Sequence, residues 1–186
     1  MNSFLDVFTN MKDLSPEMQV EIQTAIEEIE VKKGDTLQQT GDKETYAYFV
    51  KEGLLRSFTI DEKGKEHIYM FAPEGWIVAD IEQVEKLPRA ELNIDAIEDS
   101  VLERVNRKSM YKYFNLVGED RLQVETQRLM NRVVVLQRRV LMLMSASAAE
   151  RYEHFLKKYP QIVQRAPQKM IASYLGITPE ALSKVK

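Results

Sequence analysis

Hydrophobic positions recur along this chain with two different periods, and the change of period marks out its parts. Over residues 13–27, Met18, Ile22, Ala25 and Ile26 share one face at helical spacing, and Ser15 stands at the N-cap position ahead of Pro16 and Glu17. The pattern predicts a first helix there. From about residue 29 to 105 the period falls to two and the segments shorten. Strands are predicted at 29–32, 36–39, 47–51, 54–60, 66–71, 93–96 and 101–104. The turns between them include Lys33-Gly34-Asp35, Thr40-Gly41-Asp42, Glu52-Gly53 and Asp61-Glu62-Lys63-Gly64-Lys65. Short strands at this spacing predict an antiparallel β-roll or jelly roll, whose interior is either filled or holds a ligand. Residues 80–86 predict a short helix, Leu87-Pro88-Arg89 a turn, and Ser109 the cap of a helical turn running to Phe114.

The period then returns to that of a helix and stays there. Residues 119–144 contain neither Gly nor Pro, open with Glu119 and Asp120, and carry Arg138 and Arg139 near their end, which suits the helix macrodipole. Leu122, Leu129, Val133, Leu136, Val140 and Leu143 follow heptad a/d spacing, and Met130, Val134, Leu141 and Met144 form a second apolar stripe beside them. A helix of about 26 residues is about 39 Å long. Two apolar stripes need two partners, so the expected role is a dimer spine that packs on a twin helix along one stripe and on its own chain along the other. The alternative is one helix of a monomeric bundle.

Composition narrows the chemistry. The apolar share of 44% and charged share of 30% are those of an ordinary soluble chain long enough for one large or two small domains. Met1 to Asn10 lacks the basic start of a signal peptide, and no apolar run reaches the roughly 18 residues of a membrane span, so a cytoplasmic location is expected. The absence of cysteine excludes disulfides, thiolate catalysis, Cys-ligated zinc and Cys-held iron–sulfur clusters. His67 and His154 stand far apart in sequence and read as structural or surface residues. No metal site and no catalytic constellation is expected. The net charge of −3 is unevenly spread: residues 121–186 hold 12 Lys+Arg against 4 Asp+Glu, and residues 1–120 hold 14 against 25. An acidic front joined to a basic rear is the asymmetry of a chain whose rear meets nucleic acid.

That rear ends in a helix-turn-helix pattern. Residues 148–158 predict a helix with Tyr152, Phe155 and Leu156 inward, ended by Tyr159-Pro160. Residues 167–175 predict the next helix, stopped by Gly176, and Thr178 and Pro179 open the last with a good cap and a good first position. Ile171, Ala172, Leu175, Ile177, Leu182 and Val185 are the expected buried set, leaving Pro179, Glu180, Ser183 and Lys184 outside. An outward face near the start of a second helix is what enters a major groove. Glu180 can accept from cytosine N4, and Lys184 can donate to guanine. Gln168, Lys169, Thr178 and Ser183 are placed to hold phosphates. The bland alternative is an ordinary corner between two helices.

At these residues the chain resembles the Crp/Fnr family of bacterial transcription regulators. The most specific stretch is Ile171-Ala172-Ser173-Tyr174-Leu175-Gly176-Ile177-Thr178-Pro179-Glu180-Ala181-Leu182-Ser183-Lys184. Ala148-Ala149-Glu150-Arg151-Tyr152 with Phe155 is similar to the family's first DNA-domain helix, and Lys33-Gly34-Asp35, Gly41-Asp42 and Phe49-Val50-Lys51-Glu52-Gly53-Leu54-Leu55-Arg56 are similar to its roll signatures. The resemblance implies an α+β chain with a cyclic-nucleotide-binding-type β-roll and flanking helices over 1–116, a long dimerisation helix over 117–145, and a winged helix-turn-helix over 146–186. It also implies an effector pocket. Cyclic-nucleotide binders of the family carry a Gly-Glu pair, then Arg-Ser or Arg-Thr followed by Ala. This chain has Glu74-Gly75, then Trp76, and later Arg89-Ala90-Glu91. Ala90 lacks the hydroxyl and Glu91 repels an anion.

The expectation is therefore either no effector or an unidentified small molecule other than cyclic AMP, held near Glu74, Gly75, Trp76, Arg89 and Ala90, with no fixed cofactor. Expected partners are a second copy of the chain and a palindromic double-stranded DNA operator, with RNA polymerase as a further candidate and no membrane. The last helix reaches Lys186 after about two turns, and residues 158–167 are short for a β wing, so the DNA-binding end is expected to be truncated. The competing reading is a small-molecule or nucleotide sensor whose helical tail binds a protein rather than DNA. Catalysis is not expected, since the acid pairs Asp61/Glu62 and Glu98/Asp99 sit where adjacent side chains point apart.

Overall fold

In the computed structural model, residues 3–6, 15–80, 89–110 and 120–186 are described, with the backbone alone at 120–125, 128 and 132. The chain divides into two compact units, Met1–Val117 and Gly118–Lys186.

The first unit opens with α1 (Pro16–Ala25), and the Ser15 hydroxyl accepts from the Met18 N–H at its start, as the sequence predicts. The predicted positions 13 and 14 lie outside the described residues. The helix stops at Ala25 rather than 27, because Ile26 is already extended and begins β1 (Ile26–Val31). Seven more strands follow: β2 (Thr36–Gln38), β3 (Tyr46–Glu52), β4 (Leu55–Ile60), β5 (Glu66–Ala72), β6 (Ile77–Val78), β7 (Asn93–Ala96) and β8 (Ser100–Asn106). They form two four-stranded antiparallel sheets in the orders β1-β8-β3-β6 and β2-β7-β4-β5, a jelly roll with flanking helices.

β3 shows why the roll has this shape. Tyr48 and Val50 point between the sheets into a core with Leu55, Ala72, Val78, Ile94 and Leu102. Ala47 and Phe49 point to the other face, where Phe4, Ile22 of α1 and Val105 close over them. A strand buried on both faces reads as a continuous apolar run rather than an alternating one. The β3–β4 turn depends on Gly53, whose φ is 101° and where a Cβ would lie 2.1 Å from the Ser100 Oγ. Only a residue without a side chain fits there.

After β8 the chain turns helical at Arg107 rather than at Ser109. Asn106 Oδ1 accepts from the Lys108 N–H at 2.9 Å, so Asn106 does the capping assigned to Ser109, and Ser109 lies within the turn. The rest of that predicted turn, like the helix predicted at 80–86 beyond Asp80, falls outside the described residues.

The second unit is helical. It holds α2 (Asp120–Ser145), α3 (Ala148–Lys158), α4 (Pro160–Val163), α5 (Gln168–Leu175) and α6 (Pro179–Val185). Ser147 and Glu150 form a capping box at the start of α3: the Ser147 hydroxyl accepts from the Glu150 N–H, and the Glu150 carboxylate accepts from the Ser147 N–H. Those bonds hold the Glu150 carboxyl below its ordinary range. With Tyr159 at the C-cap, Pro160 ends α3 as predicted. It serves as the first residue of α4, which occupies the connection read as too short for a wing. Tyr152 and Phe155 are buried as predicted, whereas Leu156 is exposed at the edge of the same helix. No helix among the described residues is long and apolar enough to cross a membrane.

Candidate nucleic-acid interface and effector region

The turn between α5 and α6 is fixed by its hydrogen bonds. Gly176 takes φ 66° and its N–H donates to Ser173 O, while Ile177 N–H donates to Ala172 O at 3.0 Å. This paired closure is a Schellman motif, which satisfies the last carbonyls of α5 and requires the left-handed residue at Gly176. A Cβ on Gly176 would also meet Leu143 Cδ2 at 3.1 Å. The Thr178 hydroxyl then accepts from Ala181 N–H at 3.2 Å and caps α6, with Pro179 at its first position.

This turn sorts the side chains as the pattern predicts. Ile171, Ala172, Leu175 and Leu182 are buried, and Ile177 and Val185 are half-buried. Pro179, Glu180, Ser183 and Lys184 are exposed on α6, and Gln168, Lys169 and Thr178 are exposed around the start of α5 and the cap of α6. The Glu180 backbone N–H and the Thr178 hydroxyl hold the Glu180 carboxyl below the usual carboxylate range, so it is an ionised acceptor at neutral pH.

Two arginines tie α5 to the rest of its unit. Arg151 donates through Nη1 to Leu175 O at 2.8 Å and through Nε to Ala146 O at 3.1 Å. Arg139 stacks 4.2 Å above the Tyr174 ring. The macrodipole role expected for Arg138 and Arg139 is not met, because α2 runs on to Ser145 and its last turn carries no basic residue. Arg139 serves tertiary packing instead. Tyr174 also packs on Phe155 and Tyr159, with ring centroids 5.3 and 6.3 Å away, and burial pushes its hydroxyl up to about 12. The sequence reading left Tyr159 and Tyr174 out of the core. Tyr159 follows Phe155 by four residues at the end of α3, a local spacing, whereas Tyr174 comes from α5, which no local pattern reveals.

On α2, five residues of the predicted seam are exposed: Leu129 at 57%, Val133 at 56%, Leu136 at 36%, Val140 at 53% and Leu143 at 39%. The second stripe is exposed too, through Met130, Val134, Leu141 and Met144. The Leu122 side chain lies outside the described residues.

The effector residues predicted in the roll are not gathered in one place. Glu74 accepts from Gly53 N–H at 3.0 Å, Gly75 N–H donates to Val50 O, and exposed Trp76 accepts through its carbonyl from Val50 N–H. All three sit at the β4 end of β3. Buried Ala90 instead exchanges backbone bonds with Gly41 and Asp42, before the other end of β3, and Arg89 beside it is exposed. The described hydrogen bonds thus hold Glu74, Gly75 and Trp76 in one group and Ala90 in another. No described contact joins Glu74, Gly75 and Trp76 to Arg89 and Ala90.

Asp80 supplies what the sequence reading missed. It is 2% exposed, and its Oδ2 accepts from two successive amides, Glu91 N–H at 2.6 Å and Leu92 N–H at 3.0 Å. Successive N–H groups aimed at one point form an anion-binding nest, and here the chain's own carboxylate fills it. Ala90 N–H is committed as well, to Asp42 O. A bound anion could reach these amides only by displacing Asp80. The available signal was a lone acid closing the apolar run Trp76-Ile77-Val78-Ala79. Asp80→Ala takes the acceptor away from two part-buried amides, which costs about 1–3 kcal/mol. The expected fall in melting temperature is about 2–12 °C by circular dichroism, with Asp80→Asn losing less because an acceptor remains.

Comparison with known proteins adds the family context. Residues 28–116 match the family of the cyclic nucleotide-binding domain. None of the curated proteins matches the chain by sequence. Among solved structures, the chain is similar to FixK2 from Bradyrhizobium japonicum, at 21% identity over 86% of this chain and 82% of that one, with a TM-score of 0.72. A transcriptional regulator assigned to the Crp/Fnr family from Eubacterium rectale gives 20% identity, coverage of 93% and 82%, and a TM-score of 0.70. The c-di-GMP-responsive global regulator CLP from Xanthomonas campestris gives 15%, 89% and 87%, and 0.68. Residues 28–116 therefore resemble the cyclic nucleotide-binding domain family, in a chain with the fold of the Crp/Fnr regulators.

Proposed function

We propose that the chain is a homodimeric, sequence-specific DNA-binding transcription regulator of the Crp/Fnr type, with a sensor roll over 1–116, a dimerisation helix over 117–145 and a DNA-binding unit over 146–186. The observation that carries the reading is the sorting of α6: Leu182 is buried while Pro179, Glu180, Ser183 and Lys184 are exposed on a helix capped by Thr178. A capped second helix with an outward polar face fits a major groove. In it Glu180 accepts from cytosine N4 and Lys184 donates to guanine O6 or N7. Gln168, Lys169, Thr178 and Ser183 hold phosphates and set the register. Two chains joined along α2 present two such helices to a palindrome with half-sites about one turn apart.

The roll's effector is a small molecule other than cyclic AMP. The amides that could cradle a cyclic phosphate beside Ala90 are held by Asp80 and Asp42, and Ala90 offers no hydroxyl. An effector acts by favouring one arrangement of the DNA-binding units over another, which requires unequal affinity for the two.

Selection of random duplexes on the whole chain at moderate salt tests the reading, with a palindromic motif as the expected product. In the same experiment Glu180→Ala relaxes base preference at one position per half-site by about 1–3 kcal/mol. An unchanged preference removes Glu180 from the readout, and no motif for either protein removes the DNA-binding proposal.

A further inference from the structure

The facing sides of α2 and α3 carry an unusual pair of stripes. On α2, Val135, Arg138, Arg139 and Met142 share one side, and on α3, Arg151, His154, Phe155 and Lys158 share another. Two helices meeting within one unit ordinarily present apolar residues to each other. Here each stripe mixes apolar and basic residues. Between them, floored by Tyr174 and Leu175 at the end of α5, lies a cleft of about 180 Å³ that opens to solvent. Its apolar wall includes Val135, Met142, Leu143 and Phe155. Among the described residues its lining holds four Arg or Lys side chains and one histidine, and no carboxylate.

Like charges gathered around a concave apolar surface repel one another, and low-dielectric walls strengthen the repulsion. Arg151 is anchored on Ala146 and Leu175 carbonyls, and Arg139 on the Tyr174 ring. Lys158 lies 5.2 Å from the Tyr159 ring centroid. Arg138, His154 and Lys158 make no ion pair among the described residues. The rim thus holds uncompensated positive charge above an apolar floor. A cavity of about 150 Å³ suffices for a benzene-sized body.

We propose that this cleft binds a small amphipathic anion, a compact aryl or acyl body bearing one carboxylate, sulfonate or phosphate, with the body against Val135, Met142 and Phe155 and the anionic head between Arg138 and Lys158. Charge complementarity selects this occupant over a neutral apolar one, and the concave floor selects it over a DNA phosphate, which brings no apolar body. The ligand would lie against Tyr174 and Leu175, whose packing and carbonyl bonds seat α5. Any effect on DNA rests on the regulator proposal, whereas binding itself does not.

A matched pair of fluorescent probes tests the site on the whole chain without DNA: 1-anilinonaphthalene-8-sulfonate and N-phenyl-1-naphthylamine, which has the same body without the charge. The sulfonate is expected to saturate at one per chain and to bind at least about tenfold tighter than the neutral probe, as one or two charge-assisted contacts imply. Two variants, checked for native circular dichroism, separate the contributions. Arg138→Gln/Lys158→Gln removes the head contacts, and Met142→Trp fills the cleft while keeping every charge. Both are expected to weaken the sulfonate at least about tenfold. Equal binding of the two probes, unaffected by the charge variant, would overturn the proposal and leave an apolar groove. Loss in the charge variant with full binding to Met142→Trp would reduce the site to surface attraction. Sulfonate binding that survives in the charge variant while its affinity for random duplex falls would assign Arg138 and Lys158 to the DNA backbone and overturn the proposal too.

Discussion

Leu129→Asp/Leu136→Asp is expected to turn the chain into monomers that keep their helical content. Both leucines are exposed on α2, at 57% and 36%, on a stripe continued by Val133, Val140 and Leu143. A contiguous apolar stripe of that length on a charged helix marks an interaction surface. Fully burying a leucine contributes about 1.5–3 kcal/mol and about half of that surface is still exposed here, so the four leucines of a symmetric pair contribute roughly 3–6 kcal/mol. Each 1.4 kcal/mol is about tenfold in dissociation constant. Aspartates at the same places would bury unpaired charge, which adds to the loss. Sedimentation velocity at micromolar concentration reads the result directly. Because both leucines are exposed among the described residues, circular dichroism should change little. A variant that still sediments as a dimer would move the interface away from α2.

The second large effect is expected in the roll. Arg56 is 6% exposed, and its guanidinium meets Asp95 through Nε–Oδ1 and Nη2–Oδ2, both 2.7 Å, and Glu66 through Nη1–Oε2 at 2.5 Å. It also lies 4.1 Å over the Phe58 ring. Arg56 and Asp95 are register partners between β4 and β7, so the pair is set by strand pairing rather than by side-chain search. Arg56→Met strands the Asp95 carboxylate, whose side chain is only 17% exposed. Losing one partner of a buried pair costs about 3–5 kcal/mol. The melting temperature should fall by about 6–20 °C. Glu66, at 39% exposed, can turn to water and adds little. Arg56→Met/Asp95→Leu should recover most of the loss, because no charge is then left buried. If the double variant melts as low as the single one, packing on Phe58 rather than the ion pair is the source.

The two ends of the chain differed in how much their residues disclosed. Around α5 and α6 every decisive feature is local: Gly176 needs a left-handed backbone, Thr178 needs an N–H two or three residues on, and Pro179 needs a first turn. Local requirements are legible in sequence, and both helices lie where the pattern put them. The strands were legible by period, with errors of one to three residues at their ends. β6 escaped because two residues, Ile77 and Val78, carry no period. α4 escaped because Pro160, read as a stop, also fits a first helical position.

The effector region was harder for a different reason. Glu74 and Ala90 look like parts of one cassette in sequence, but β3 stands between their hydrogen-bond partners. Asp80 gave no sign of its role, because its partners, the Glu91 and Leu92 amides, are backbone groups that every residue possesses. A buried carboxylate is informative only once its acceptor bonds are seen. The mixed stripes of α2 and α3 hid in the same way, since each basic residue alone reads as a solvated helix position.

The most direct test of the regulator account is a binding comparison on one selected palindrome. Fluorescence anisotropy at near-physiological salt would follow the whole chain on the palindrome, on a single half-site and on a scrambled duplex. Two chains per palindrome, with affinity at least about 10³-fold above the scrambled duplex and a steep fall with added salt, is the predicted result. Equal affinity for all three duplexes would contradict it, because α6 would then be meeting phosphates without reading bases.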